Sequence, residues 1–360
     1  MNVAVFRVGV TRDARSPGGQ LAFGDMAFDL LDSAPGLKWE FIAEDTRELT
    51  PEQVDPYDAV LVFGPAVTAA TVREAGRLAL VARTGVGYDT IDVGALTERG
   101  ILLTITPDGV RRSMAAAALT LLLALSHRLV LRDRLTREGR WVEESQELGV
   151  GFTGRTLGLI GLGNIGRELL ALARPLGMRH LAADPYVEPA VALAHGAELV
   201  ELERLLVEAD FVCITCALSD QTRRLIDADK LALMKPTAYL VNVARGPIVD
   251  QHALTEALMT RAIAGAGLDV FEQEPIDPAD PLLELENVIL APHAIGHTDQ
   301  WALETGRSAC GAILDVANGR LPRHVVNREV LEHPLLRNKL RAYSRRLGEP
   351  AGSRRAPARE

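Results

Sequence analysis

The sequence predicts an α/β protein built as two doubly wound parallel-sheet domains, and three observations predict it. The chain has 360 residues, enough for two domains at roughly 150 residues each. Short apolar runs alternate with helical patterns over most of that length, as in parallel sheets covered by helices on both faces. One run ends in a Gly-x-Gly-x-x-Gly turn that opens a helical pattern, the context in which such a turn carries structural meaning.

The first block extends from Val3 to about Pro107. Its strand candidates are VAVFRVGV, LKWEFIA, AVLVFG, LALVART and ILLTIT, with helical patterns such as TAATVREAGR and VGALTERG between them. A five-stranded unit is expected. A helical stretch follows from Val110 to about Arg137, too long for a loop and too apolar for a linker. Its most apolar part, Met114 to Leu125, is shorter than the roughly 20 residues of a bilayer span. Arg111, Arg112, His127 and Arg128 flank it, so a buried core helix and no membrane partner are expected.

The second block starts near Thr156, with strands TLGLIGLG, RHLAAD, FVCITC, AYLVNVA, AGAGLDV and NVILAPH. Six such strands suit a dinucleotide-binding sheet. The helical pattern from Thr298 to Asn318 is expected to return to the first domain. After Leu335 the chain is rich in Arg and carries Pro and Gly, which reads as a frayed helix and then disorder. The expected partition is 1–107 with 297–335, then 108–296, with 336–360 a disordered tail.

Composition narrows the function classes. Hydrophobic residues at 48% and charged residues at 24% are ordinary for a globular protein. A formal net charge of −9 argues against a dedicated nucleic-acid binder, which carries a basic balance. Cys213, Cys216 and Cys310 make no disulfide framework. Cys213 and Cys216 spell Cys-x-x-Cys but lie in an apolar strand, where residues three apart face opposite ways. No redox centre and no metal site is expected. The N-terminus lacks the pattern of a secretory signal, so a cytoplasmic location is expected.

Gly161, Gly163, Asn164, Ile165 and Gly166 form the glycine turn. Gly161 permits the tight turn, Gly163 lets a pyrophosphate approach the backbone, and Gly166 lets helix and strand pack closely. The helix N-terminus then offers unpaired N–H groups to phosphate. Asp184 ends the next strand, 18 residues after Gly166. A carboxylate there accepts hydrogen bonds from ribose hydroxyls and repels a 2′-phosphate, and Pro185 and Tyr186 supply no compensating cation. NAD is the expected cofactor.

Three further residues stand at the C-terminal ends of predicted strands, where open α/β sheets place ligands. Arg245, in VNVARGPIVD, can pair with a carboxylate or polarise a ketone oxygen. His293, in NVILAPHAIG, can take and return a hydroxyl proton. Glu274, in GLDVFEQEP, can favour the charged imidazolium, with Glu272 a competitor for that role. Each alone is an ordinary turn or surface residue; the set, on consecutive strands after a dinucleotide turn, is far more specific.

At these residues the chain resembles the D-isomer-specific 2-hydroxyacid dehydrogenases, the group that includes phosphoglycerate dehydrogenase-like enzymes. The resemblance covers roughly residues 60 to 330, through ARTGVGYDTID, GLIGLGNIGRE, VNVARGPIVD, AGLDVFEQEP and APHAIG. It implies a flavodoxin-like substrate domain, a Rossmann NAD-binding domain and a site in the cleft that closes between them. It implies Arg245 as the substrate-binding arginine, Glu274 as the carboxylate partner and His293 as the acid/base. Val86 and Gly87 match the loop whose N–H groups hold the substrate carboxylate. Cys216, Val243, Ala244, Asp269 and Gly296 match positions around the nicotinamide. A homodimer through the NAD domain is implied, in the region of the long helix and Trp141.

Three departures bear on the substrate. Ala115 to Ala118 replace a stretch that often holds an acidic residue, CALSDQT replaces a proline-containing turn, and His297 adds a second histidine beside the expected base. Glyoxylate, hydroxypyruvate, phosphoglycerate with phosphohydroxypyruvate, and longer 2-oxo acids are the candidates. The first domain shows no phosphate clamp beyond scattered arginines such as Arg7, Arg12 and Arg15. Two alternatives are carried: a phosphite dehydrogenase-like enzyme, and an NAD(H)-sensing binding protein of corepressor type on the same fold, which fold alone does not exclude.

Overall fold

The structure, a computed structural model, describes residues 5–141 and 148–348. It comprises two compact units, one made of the described residues up to Val110 and from Thr298 onward, the other of Arg111–His297. In chain order the helices are α1 (Asp29–Asp32), α2 (Pro51–Val54), α3 (Val93–Glu98), α4 (Pro107–Ser126), α5 (Leu129–Arg137), α6 (Asn164–Ala173), α7 (Pro189–Ala194), α8 (Leu202–Glu208), α9 (Ala228–Ala232), α10 (Gln251–Met259), α11 (Asp299–Ala317) and α12 (Pro334–Gly348).

The first unit holds strands β1 (Phe6–Val10), β2 (Leu37–Phe41), β3 (Ala59–Val62), β4 (Leu80–Arg83) and β5 (Leu102–Thr104), in the parallel order β2-β1-β3-β4-β5. The central strand β3 is buried along its whole length, as a strand covered on both faces must be, whereas the edge strand β2 exposes Lys38 and Glu40. α11 belongs to this unit. Thr298 caps it by accepting from the Trp301 N–H at 3.1 Å. Its inner face, from Trp301 through Thr305, Cys310 and Ile313, is buried, and Gly306 leaves no room for a side chain against the Met26 backbone.

Two expectations for this unit are corrected. Residues 68–77 form turns, not a helix. Thr68 N–H donates to the Thr71 hydroxyl at 3.0 Å, and that hydroxyl donates to the Leu49 carbonyl at 2.6 Å, a local bonding pattern that competes with helix. Nor does order end at 335, because α12 continues to Gly348. Leu336, Leu340 and Tyr343 are buried along one stripe. The Lys339 Nζ donates to the Leu78 carbonyl at 2.6 Å and the Tyr343 hydroxyl to Asp58 at 2.9 Å. The arginines had hidden an apolar stripe at helical spacing. The remainder of the expected tail, 349–360, lies outside the described residues.

The second unit holds β6 (Thr156–Ile160), β7 (Arg179–Ala183), β8 (Glu198–Leu199), β9 (Phe211–Ile214), β10 (Tyr239–Asn242), β11 (Gly265–Leu268) and β12 (Val288–Leu290). All are parallel, in the order β12-β11-β10-β9-β6-β7-β8. β8, two residues long at the sheet edge, is one strand more than expected. The long helical stretch is also two helices, since Arg128 takes a left-handed φ of 52° between α4 and α5. α4 is long and apolar enough to cross a membrane, yet 56% of its most apolar window is buried. Ala115, Ala118, Leu121, Leu122 and Leu125 pack with Leu157, Leu159 and Val241 of the sheet. Register keeps the strand ends level: Ile160 lies opposite Ala183 and Ile214, and Leu268 opposite Asn242 and Leu290. Residues just beyond those ends therefore share one edge of the sheet.

Candidate active site

The glycine turn leaves β6 on that edge. Gly161 has φ +95°, and a Cβ on it would meet the Cys216 backbone nitrogen at 2.6 Å. A Cβ on Gly166 would meet the Gly161 carbonyl oxygen at 2.6 Å, whereas one on Gly163 would meet nothing within 4 Å. The turn is thus closed where helix packs on strand and open at the residue that precedes α6. Asn164 and Ile165 open that helix, whose first N–H groups have no helical acceptor. Asp184 orients the turn: one carboxylate oxygen accepts from the Leu162 N–H at 2.8 Å and the other from the Tyr186 N–H at 3.0 Å. Thr215, which sequence reading passed over, donates its hydroxyl to the Gly161 carbonyl at 2.7 Å. These residues fit a dinucleotide: room at Gly163, free helix-end donors, and a carboxylate at the ribose position.

Past β9, burial pushes the Cys216 thiol up to about 11, against a backbone hydrogen bond that lowers it and with the Asp184 charge adding to the rise. Past β10 come Val243, Ala244 and Arg245. Asn242, buried at the end of that strand, accepts from the Ala244 N–H and donates to the Arg245 carbonyl, both at 3.0 Å. It holds the arginine's backbone in place and was not foreseen. The Arg245 guanidinium donates to the Ala244 carbonyl at 2.8 Å. Gly246 lies so close to the Phe271 and Glu272 backbones that no side chain fits, which brings the arginine loop against the loop that carries Glu274.

Glu274 and His293 meet. The imidazole Nδ1 lies 2.7 Å from one carboxylate oxygen, and the other accepts from the Phe271 N–H at 3.0 Å. Burial alone would raise the Glu274 carboxyl. The His293 and Phe271 hydrogen bonds, with the charges of His293 and Arg245, together outweigh it and hold the carboxyl below its ordinary value. An ionised carboxylate only accepts, so Nδ1 carries hydrogen and Nε2 is the nitrogen left to exchange a proton. Glu272 does not share this role: its N–H donates to the Gln251 side chain at 3.0 Å and its carboxylate lies 3.8 Å from Arg224.

His293 has φ +55°, a left-handed conformation that strains a residue with a Cβ. Asp269, buried past β11, accepts from the N–H groups of Ala294 and Ile295 at 2.9 and 3.1 Å and so fastens the loop that holds this conformation. Burial raises the Asp269 carboxyl, and those two N–H donors and the His293 charge only partly oppose it. The His297 N–H donates to the Ala294 carbonyl at 2.9 Å. Burial and then the His293 charge lower the His297 imidazole. Gly296 has the Met114 sulfur where a side chain would stand.

The structure thus brings Arg245, Glu274 and His293 to one sheet edge with the glycine turn, Asp184, Cys216, Val243, Ala244 and Asp269. Val86 and Gly87 belong to the first unit. There Gly85 takes φ +92°, its N–H donates to the Thr106 hydroxyl at 2.7 Å, and Arg83 Nε donates to the Gly87 carbonyl at 3.0 Å.

The family model described as D-isomer specific 2-hydroxyacid dehydrogenase, NAD binding domain, matches residues 119–294. A glyoxylate reductase of Korarchaeum cryptofilum is 40% identical over 298 residues, 82% of this chain and 90% of that protein. The chain belongs to the D-isomer specific 2-hydroxyacid dehydrogenases. A D-3-phosphoglycerate dehydrogenase of Archaeoglobus fulgidus is 36% identical over 298 residues, 82% of this chain and 56% of that longer protein. Among solved structures, an NADPH-dependent glyoxylate/hydroxypyruvate reductase of Sinorhizobium meliloti, in complex with NADP and malonate, superposes with a TM-score of 0.76. It is 28% identical, with 90% of this chain and 97% of that one covered. This dehydrogenase is an oxidoreductase that uses a nicotinamide dinucleotide and acts on small 2-hydroxy or 2-oxo acids. The sensor-protein alternative gives way to the enzyme.

Proposed function

We propose that this dehydrogenase uses NAD(H) to interconvert a small unphosphorylated 2-oxo acid, of the glyoxylate or hydroxypyruvate class, and its D-2-hydroxy acid. The observation that carries the reading is the 2.7 Å contact between Glu274 and His293, beside Arg245 and on the sheet edge that holds the glycine turn.

The roles follow from the chemistry of each group. The bound nicotinamide would supply or accept the hydride at substrate C2. His293 gives a proton from Nε2 to the keto oxygen in reduction and takes it back in oxidation. Glu274 holds the imidazole through Nδ1 and stabilises its charged form. Arg245 pairs with the substrate carboxylate and draws charge toward the keto oxygen. Val86 and Gly87 offer the carboxylate their N–H groups, which have no hydrogen-bond partner among the described residues. Gly161, Gly163, Asn164, Ile165 and Gly166 take the pyrophosphate; Cys216, Val243, Ala244, Asp269 and Gly296 surround the nicotinamide. Asp184 favours NAD over NADP because each carboxylate oxygen keeps a second lone pair for a ribose hydroxyl, while its charge opposes a 2′-phosphate. The glyoxylate reductase likeness and the lack of an arginine cluster in the first domain's sequence support an unphosphorylated acid.

We also infer a homodimer through the second unit, in the cytoplasm, where reduced nicotinamide is held. Leu129 and Val130 on α5, with Trp141 and Leu148, are exposed apolar residues of that unit, and sedimentation at micromolar concentration tests the pairing. The substrate test is NADH oxidation with glyoxylate, hydroxypyruvate, phosphohydroxypyruvate and pyruvate. Turnover fastest with glyoxylate or hydroxypyruvate supports the proposal. Preference for phosphohydroxypyruvate overturns it.

A further inference from the structure

Glu168 stands on α6 four residues beyond Asn164, about 6 Å along the axis at 1.5 Å per residue. That is one turn from the N–H groups assigned above to the pyrophosphate. An unpaired carboxylate at that place would repel a group carrying two negative charges. Two arginines of α4, distant in sequence, pair with it. Arg112 Nη1 lies 2.6 Å from one Glu168 oxygen and Arg111 Nε lies 3.6 Å from the other. Both guanidinium side chains are at least half exposed, while Glu168 is 21% exposed. A third cation stands nearby, because Arg167 Nε donates to the Leu162 carbonyl in the middle of the glycine turn at 2.9 Å. Asn164, the first residue of the helix, contributes no charge. Three cations, Arg111, Arg112 and Arg167, face two anions, Glu168 and the Asp184 carboxylate that accepts from the Leu162 N–H, so the local balance is one positive charge and depends on the two α4 arginines.

We propose that Arg111 and Arg112 are cofactor-binding residues of this dehydrogenase. Arg112 neutralises Glu168 through the short contact, and Arg111, held at the longer distance, turns to the pyrophosphate. Charge on the phosphate backbone of the cofactor is thus met partly from α4 and not from the glycine turn alone. The inference rests on the assignment of the glycine turn to the cofactor.

The test is calorimetric titration with ADP-ribose and with adenosine, in 50 and 300 mM NaCl, for the wild type, R111Q, R112Q and R112Q/E168Q. An exposed cation facing a phosphate implies that R111Q weakens ADP-ribose binding about 5-fold at low salt, with the gap narrowing at high salt. Adenosine, which has no phosphate, binds all four proteins alike. R112Q weakens ADP-ribose by a similar factor, and R112Q/E168Q returns it to within about twofold, because the exposed carboxylate has gone. Unchanged ADP-ribose affinity in R111Q or R112Q overturns the proposal. So does an equal loss with adenosine, or a double variant without rescue. Failure of the wild type to bind ADP-ribose would instead overturn the cofactor assignment itself.

Discussion

Replacing Glu274 with Gln keeps the shape of the contact to His293 and removes its charge. Two opposite charges about 4 Å apart attract by about 4 kcal/mol at the effective dielectric of a protein surface and by about 1 kcal/mol in water. The His293 and Glu274 side chains are 44% and 36% exposed, so solvent screens the pair and the value lies between these limits. Taking about 2 kcal/mol as the loss, with tenfold per 1.4 kcal/mol, gives a fall of about 25-fold. The assay is steady-state reduction of glyoxylate by NADH from pH 5 to 9, with NADH affinity measured in parallel. The expected kcat/KM of E274Q falls about 25-fold near pH 7.5. NADH affinity stays within about twofold, since Glu274 meets the proton-transfer group and not the glycine turn. An unchanged kcat/KM, or a loss matched by an equal loss of NADH affinity, would refute the role given to this pair.

Three further outcomes are expected. Gly161→Ala would force a Cβ against the Cys216 backbone at a φ of +95°; the variant should lose at least about 1 kcal/mol of stability and most of its NADH affinity, and unchanged melting and binding would refute the packing account. Burial depresses the Lys339 amine to about 8, with the Asp58 charge opposing it. A lysine depressed on folding costs stability while charged in both states. That cost fades as pH rises from about 8 toward the unfolded value near 10.4. Relative to K339M, the wild type should therefore gain stability between pH 8 and 10 in urea titrations, and a flat difference would contradict the assignment. Burial pushes the Cys213 and Cys310 thiols up to about 12 and Cys216 to about 11; the native protein should resist iodoacetamide at pH 7.5, where only thiolate reacts, and rapid alkylation would refute it.

The two sheets were legible because parallel strands covered on both faces read as unbroken apolar runs, as β3 and β9 do. The glycine turn, Asp184, Arg245, Glu274 and His293 were legible because each stands directly after such a run, and level strand ends place them together. What escaped depends on short contacts with no periodicity. Asn242 and Thr215 act on backbone carbonyls and N–H groups a few ångströms away, and neither residue type is unusual at a strand end. Residue type alone left Glu272 as a competitor to Glu274, and the resemblance favoured Glu274; Gln251 and Arg224 occupy the first and His293 the second. α12 was obscured because arginines dominate its composition while only Leu336, Leu340 and Tyr343 reach the core. The helix expected over 68–77 failed because threonine side chains bond locally, and the break at Arg128 has no proline or glycine to announce it.

The central claim is that His293 moves the substrate proton. Turnover and NADH affinity of His293→Ala measure it together. Loss of a positioned acid/base is worth about 10²- to 10⁴-fold, so kcat for glyoxylate reduction should fall by at least about a hundredfold while NADH binds within about twofold of the wild type. Turnover near the wild-type rate would contradict the account.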